Sequence, residues 1–421
     1  MADKLTSLGD IKIKTLAITS ENATLSVYPQ MLSMNIYSDI FGKWIHGELI
    51  LQDVQNLQSI FPLVGKEILS VSFETPSVDV EFSKDFFIYK MSEKTKLGRE
   101  DVYCIYFISP EAIACKNIKI SKTFRGNPVD MIKDIFSKNY FNRLSALFGE
   151  TPKNRFTYIS NFWDITKNID YICEHSVSEN DSPTFLFYET PFGFHFNSLD
   201  TLMSDKNSSM FVFELSEYEN RMQGKDNAVT SRQRDYMQVQ EVYINNGFNW
   251  IDRVESGFYG GRMLTYDIVT GRYVEKQIKI ETKNPLNAND AVPNYYSSAN
   301  NYALFVMTPK AFNNIDDSGD NTNSDYKILR EGLFSRMRNT RITIKVFGRA
   351  DYAVGMKAKL NIAKSGVPDK DDWDEYLSGN FLITGVKHEI SRSGHYSILE
   401  LSKDSFKGEI LKESVEDYES D

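Results

Sequence analysis

Cysteine is scarce in this chain: three residues, Cys104, Cys115 and Cys173, among 421. Their number is odd, their spacing is wide and each sits in an apolar pattern. That excludes a disulfide-stapled scaffold and reads as reduced core thiols of a protein made in a cytoplasm. Long apolar runs are missing as well. No stretch approaches the ~18 apolar residues of a membrane span, and the opening MADKLTSLGD has no apolar segment of the signal-peptide kind, so neither membrane insertion nor an export signal is expected. Basic residues are outnumbered, 48 Lys and Arg against 58 Asp and Glu, for a net charge of −10. This balance argues against a nucleic-acid reader, which needs a basic footprint to neutralise phosphates.

Signatures of catalysis and metal binding are equally thin. The five histidines, His46, His175, His195, His388 and His395, form no HExxH pattern. Only His388 and His395 are near one another, on opposite arms of a hairpin. Zinc wants three or four ligands and no Cys or third His is supplied nearby, so surface positions are expected for them. The run DDSGDNTNSD, Asp316 to Asp325, has the composition of a calcium loop, but its glycine stands at the fourth place and the final glutamate is missing. GFYGGR, Gly257 to Arg262, lacks the Gly-Lys-Ser/Thr of a phosphate cradle and reads as a hairpin turn. Carboxylate pairs such as Glu179 and Asp181 carry no acid–base argument without a pocket. No catalytic, cofactor-binding or metal-binding residue is assigned, and neither a cofactor nor an enzymatic activity is expected.

Aromatic residues, by contrast, are abundant: 28 Phe and 23 Tyr. Much of this content alternates at a period of two, which favours a β-rich, mixed α+β chain. Its length exceeds what one hydrophobic core supports, so two to four domains are expected. Residues 1–10 read as a polar leader and 11–120 as a first small antiparallel β-barrel, with Pro29 marking an edge or bulge in a strand from Thr24 to Tyr37 and a short helix from Val54 to Phe61. From Gly126 the period changes. Asn127 as N-cap and Pro128 at N1 open a helix, a second follows Asn161, and a Phe-rich hairpin spans Pro183 to Asn197. Together these make 121–219 an α+β domain, whose phenylalanine ladder reads as core rather than as a ligand face.

Residues 220–235, including the basic run Lys225 to Arg234, read as an exposed linker. Strands are expected again at Val239–Ile244, Phe248–Val254, Met263–Val269 and Tyr273–Ile280. The second barrel is then discontinuous, 236–280 plus 339–404, around an inserted loop-rich and helical segment, 281–338, with a charged tail at 405–421.

One strand grammar occurs twice. VGKEILSVSFETP from Val64 is followed by DFFIYKMSEK, a break at Leu97-Gly98, and VYCIYFISPE. Far downstream VGMKAKLNI from Val354 is followed by SGNFLITGVKHEIS, a turn at Ser393-Gly394, and HYSILELSKDSF. Phe381, Ile383, Val386, His388 and Ile390 alternate along one arm of that last hairpin. Two copies of one strand set imply two copies of one barrel.

These duplicated sets, the segments KTFRGNPVDMIKDIF, NFWDITKNIDYICEHS and PTFLFYETPFGFHF, and QEVYINNGFNWIDRVESGFYGGRMLTYDIVTGRY together resemble the baseplate central hub proteins of contractile-tailed bacteriophages. The hub portion of type VI secretion spike proteins is similar. The resemblance spans roughly residues 10 to 404 and implies an architecture: a homotrimer whose two barrels per subunit present six near-equivalent units to a sixfold tail tube. It further implies a virion protein assembled in the host cytoplasm. Its partners would be a separate spike or spike-lysozyme protein, the tube or tube-initiator proteins and other baseplate proteins, with DNA passing the lumen unbound. A tail-associated cell-wall hydrolase and a receptor-binding adhesin stay open as alternatives.

Overall fold

The computed structural model describes residues 8–21, 23–54, 61–76, 78, 80–97, 100–136, 147–204, 210–215, 236–245, 249–267, 271, 273–280, 284–287, 289–290, 304–310, 323–364 and 373–408. The first part of the chain is a run of strands: β1 (Lys12–Thr19), β2 (Thr24–Ser26), β3 (Met31–Asp39), β4 (His46–Asp53), β5 (Ile68–Glu74), β6 (Glu81–Met91), β7 (Thr95–Leu97) and β8 (Glu100–Ile108). Pro29 lies in a single 3-10 turn, Tyr28–Gln30, that divides the one strand expected there into β2 and β3. Its ring nitrogen has no hydrogen to give to a ladder, so the break falls where the donor is missing. The helix expected over Val54–Phe61 falls mostly outside the described residues.

One face of these strands is apolar at every second residue. Leu16 and Ile18 of β1 meet Met34 and Ile36 of β3, Leu49 of β4, Phe73 of β5, Phe86 of β6 and Ile105 of β8 in one core. Because β1 and β3 are not hydrogen-bonded to each other yet share this core, the sheet must coil around it. Each fully buried Leu, Ile or Phe contributes on the order of 2 kcal/mol.

The helical segment follows: α1 (Pro110–Asn117), β9 (Lys119–Gly126), α2 (Pro128–Ile135), β10 (Leu147–Gly149), β11 (Phe156–Asp164), α3 (Ile165–His175), β12 (Phe185–Thr190), β13 (Gly193–Ser198), α4 (Leu199–Met203) and β14 (Met210–Leu215). Asn127 caps α2 as its position dictates, its side chain accepting from the Val129 N–H. The next helix starts later than Asn161. The cap is Asp164, accepting from Lys167 N–H, and the residues before it continue β11 through a bulge where Phe162 takes a φ of 56°. Ile132 and Ile135 of α2, Ile169 and Ile172 of α3, and Phe185, Phe187, Phe194 and Phe196 of the hairpin form the core here.

The remaining elements are β15 (Glu241–Asn245), α5 (Trp250–Glu255), β16 (Gly260–Asp267), β17 (Tyr273–Lys279), β18 (Asn289–Asp290), β19 (Leu304–Lys310), α6 (Asn323–Asn339), β20 (Thr340–Phe347), β21 (Lys357–Ile362), β22 (Gly379–Ser391), β23 (Gly394–Lys403) and β24 (Ser405–Phe406). Two expectations are corrected. Residues 250–255 are a helix, because Asn249 accepts from both the Ile251 and Asp252 N–H groups and so nucleates a turn where a strand was expected. β16 and β17 do not enter the second strand set; they pair with β19 in a sheet of their own, and from 236–280 only β15 joins β20. In exchange β14, read as part of the α+β segment, lies parallel to β21.

The two strand sets are halves of one fourteen-stranded sheet, in the order β15-β20-β23-β22-β3-β4-β8-β6-β5-β1-β2, with β7, β14 and β21 off that path. Two similar small barrels were expected; among the described residues one ladder runs on from the first strand set into the second, because the thirteen residues of β22 are long enough to serve both β21 and β3 along one edge. Gly379–Leu382 pair with β21 and Gly385–Ser391 with β3.

The duplication itself is plain in the connectivity. β3, β4, β8, β6 and β5 are neighbours in the order repeated by β15, β20, β23, β22 and β21. Both copies carry a bulge at the same place, after Ile88 in β6 and after Ile383 in β22. Both carry the same backbone bond beside it, Ile88 N–H to the Glu67 carbonyl at 3.1 Å and Ile383 N–H to the Met356 carbonyl at 2.8 Å. The preceding Val-Gly pairs match too: Gly65 has φ 91° and Gly355 φ 83°, left-handed values that favour glycine.

Candidate functional site

The joint between the two strand sets is where the fold concentrates its polar chemistry. In the β3–β22 ladder Ser33 faces Ser391, Asn35 faces Glu389 and Tyr37 faces Lys387, while Met34 faces Ile390 and Ile36 faces His388 on the core side. Glu48 on β4 accepts from Asn35 Nδ2 at 2.8 Å and from Tyr37 Oη at 3.0 Å. Burial and then this carboxylate push the Tyr37 phenol up to about 12. The hairpin tip is tied back across the joint, Arg392 Nε donating to the Met31 carbonyl and Nη2 to that of Pro29, each at 3.2 Å.

Under the joint lies the histidine pair. His388 and His395 are 1% and 0% exposed, so the surface placement expected for them is wrong. The pattern that misled is local: in sequence they flank a polar turn, but β22 turns His388 inward against the first set, where Phe73 meets both rings and Phe82 meets that of His388. His388 Nδ1 and His395 Nε2 stand 3.1 Å apart, with the Ser397 hydroxyl 3.4 Å from the same Nδ1. Burial draws the His388 pKa down to about 4, and burial with the neighbouring ring draws His395 well below its ordinary value. Gly348 presses on the pair; a Cβ there would sit 2.2 Å from His395 Cγ. Among the described residues no group of three or more His, Cys, Asp or Glu is placed to hold a metal.

A second cluster bolts the α+β segment to the first strand set. Glu189 is buried in β12 and accepts from the Ile45 N–H at 2.9 Å, from Ser109 Oγ at 2.5 Å and from Lys84 Nζ. Arg330 of α6 donates to the carbonyls of Cys173, Pro183 and Phe185, holding that helix to α3 and β12. Lys403 is buried as well, its Nζ donating to the carbonyls of Tyr376, Leu377 and Ser378. Burial lowers its pKa to about 7, while three carbonyls match the three N–H donors of the ammonium form.

The other residues named from sequence are dispersed. His195 borders a groove of about 370 Å³ with Tyr188, Thr190 and Phe192, its Nε2 2.9 Å from Thr190 Oγ1. Burial takes its pKa to about 4, and no carboxylate lines the groove with it among the described residues. Gly257–Arg262 is the turn from α5 into β16 rather than a hairpin. Asp181 pairs with Lys153. Most of Asp316–Asp325 and all of Lys225–Arg234 lie outside the described residues. Cys115 and Cys173 are buried, Cys104 is half-buried, and all three are free thiols. Glu189 escaped the sequence reading although it carried a signal, a lone acid among alternating aromatics in TFLFYETPFGFHF; Arg330 carried none.

No protein-family model matches the chain, and no curated protein sequence matches it. Solved structures do. A tail protein from Neisseria meningitidis MC58 is similar at a TM-score of 0.54 and 10% identity over 93% of this chain and 96% of its own. The 43 kDa tail protein of prophage MuSo2 from Shewanella oneidensis gives 0.53 and 8%, over 93% and 98%. An Escherichia coli component of the type VI secretion system, described as similar to bacteriophage T4 tail proteins, gives 0.45 and 8% over 96% and 80%. The chain therefore has the fold of phage tail proteins, the group to which its sequence pointed.

Proposed function

We propose that this chain is a structural subunit of a phage-type tail, the central hub of a contractile-tail baseplate. The observation that carries the reading is the duplicated strand set inside a tail-protein fold: equal bulges, equal bonds and equal strand order in two halves of one chain. A duplicated unit lets three chains offer six near-equivalent surfaces, which is what a threefold spike and a sixfold tube require of the part between them. In this reading 11–120 and 339–404 with β15 are the two tube-type barrel units, and 121–219 braces them, with α6 packed between that segment and the second unit. The homotrimer sits in the virion tail, grips a spike or spike-lysozyme protein on one side and tube proteins on the other, and leaves a lumen through which DNA passes. The subunit has no catalysis of its own.

Light scattering and negative-stain imaging of the purified chain, alone and mixed with its spike protein, test this directly. A threefold ring is expected; a monomer in both samples overturns it. Release of peptidoglycan fragments by the isolated chain would favour the hydrolase reading.

A further inference from the structure

The internal joint predicts an external one. Aligning the two strand sets on their shared bulge makes Phe107 equivalent to Leu401 and Ile105 to Leu399. Their partners Leu49 and Ile344 are then equivalent, and so in turn are Met34 of β3 and Val242 of β15. On the other side Ile88 matches Ile383, so the part of β22 that pairs with β3 corresponds to the chain running from β6 into β7. Yet these two counterparts do not meet. Among the described residues β15 pairs only with β20, and β7 only with β8.

We infer that the open edge of β15 in one copy of this chain pairs antiparallel with Ser92–Lys96 of a second copy, reproducing between subunits the β3–β22 ladder within one. After Met91 the first set carries one extra residue, Thr95 standing opposite Val102 where Met91 stands opposite Ile105, so the transferred register sets Thr95 opposite Tyr243, Lys96 opposite Val242 and Ser92 opposite Asn245. Two features support it. Tyr243 is 65% and Ile244 43% exposed on an edge strand, an arrangement single chains ordinarily protect. Glu93, Lys94, Thr95 and Lys96 are exposed as well. The two edges lie on different surfaces of the chain, so the contact is head-to-tail and either closes a ring or runs on as a filament. The inference rests on the ring proposed above and assigns its interface.

The full chain carrying Thr95→Cys and Tyr243→Cys tests it. Directly opposed residues in an antiparallel pair lie about 5 Å apart at Cα, within disulfide reach. Mild oxidation is expected to give a ladder of linked chains on a non-reducing gel, absent from either single variant. Asn35→Cys with Glu389→Cys, opposed in the intrachain ladder, should close within one chain and serves as control. An oligomer by light scattering that gives no linkage overturns the edge assignment and leaves the ring standing. A wild-type monomer that does not link overturns both.

Discussion

Acidification should unlock the joint from inside. His388 is fully buried between β22, β23 and the aromatic wall of Phe73 and Phe82, and the groups facing it are His395, Ser397 and those two rings, with the Asp351 charge acting weakly to raise its pKa. In the unfolded chain the imidazole takes a proton near pH 6.5, whereas in the fold it does so near 4. Its folded pKa is depressed, so the neutral ring is the folded form. The stability tied to it is complete above about pH 6.5 and is lost as pH falls through the window down to about 4. At pH 5 the loss from His388 alone is about 2 kcal/mol, and below pH 4 it saturates near 3 kcal/mol. His395, depressed by burial and by its neighbour, adds in the same direction. Against a total stability of roughly 5–15 kcal/mol this is a large fraction.

Carboxylates do not mimic this window. Four backbone N–H groups lower the Glu67 carboxyl against the opposing pull of burial, so its contribution persists until pH falls below the ordinary carboxylate range. The assay is urea unfolding of the full chain at half-unit steps from pH 7.5 to 4.5, for wild type and for the His388→Asn, His395→Gln double variant. Wild type should lose stability steeply between pH 6.5 and 5, and the double variant, less stable at pH 7, should show a markedly flatter profile there. Identical slopes in the two proteins would refute the argument.

Other perturbations have equally definite outcomes. Glu189→Ala leaves Lys84, Ser109 and the Ile45 N–H without their acceptor, and should cost about 3 kcal/mol, read as a fall in unfolding temperature. Gly348→Ala drives a methyl into a ring that Phe73 and the β23 backbone hold in place, and should cost about 2 kcal/mol in the same measurement. The ring proposed above should not retain duplex DNA in a shift assay at ~0.15 M salt, since a lumen lined with lysines would stall a chain bearing one charge per ~1.7 Å.

The strongest sequence signals were those carried by neighbours along the chain. Asn127 with Pro128 marks a helix start because the cap acts over two residues, and the Phe185–Phe196 hairpin is legible because its alternation is local. The repeat was legible because it is the same local pattern written twice. What escaped depends on pairing across hundreds of residues. β22 joins β3 over a separation that no periodicity encodes, and that single ladder makes the two strand sets one continuous sheet and turns two expected surface histidines into a buried pair. The α5 helix was misread for another reason: Trp250 and Ile251 are exposed, so apolar alternation there does not mark a core face and the Asn249 cap decides the conformation.

The two strand sets have diverged most where one is covered and the other is not. In β22 the hairpin arm runs unbroken to Ser391, and the positions that face β3 include His388 and Ile390, both buried. The corresponding stretch of the first set is interrupted after Met91 and carries Glu93, Lys94 and Lys96. An unpaired strand edge with the apolar character of its twin would template indiscriminate association, and charges on it suppress that until the matching edge arrives. Lys94 already lies 3.7 Å from Asp101 and over the Tyr103 ring, so it covers the edge in the single chain. Replacing Glu93, Lys94 and Lys96 with apolar and neutral residues should therefore leave the fold intact but convert ordered assembly into concentration-dependent aggregation, followed by light scattering. If that variant assembles as cleanly as wild type, the charges at this edge have no part in choosing its partner.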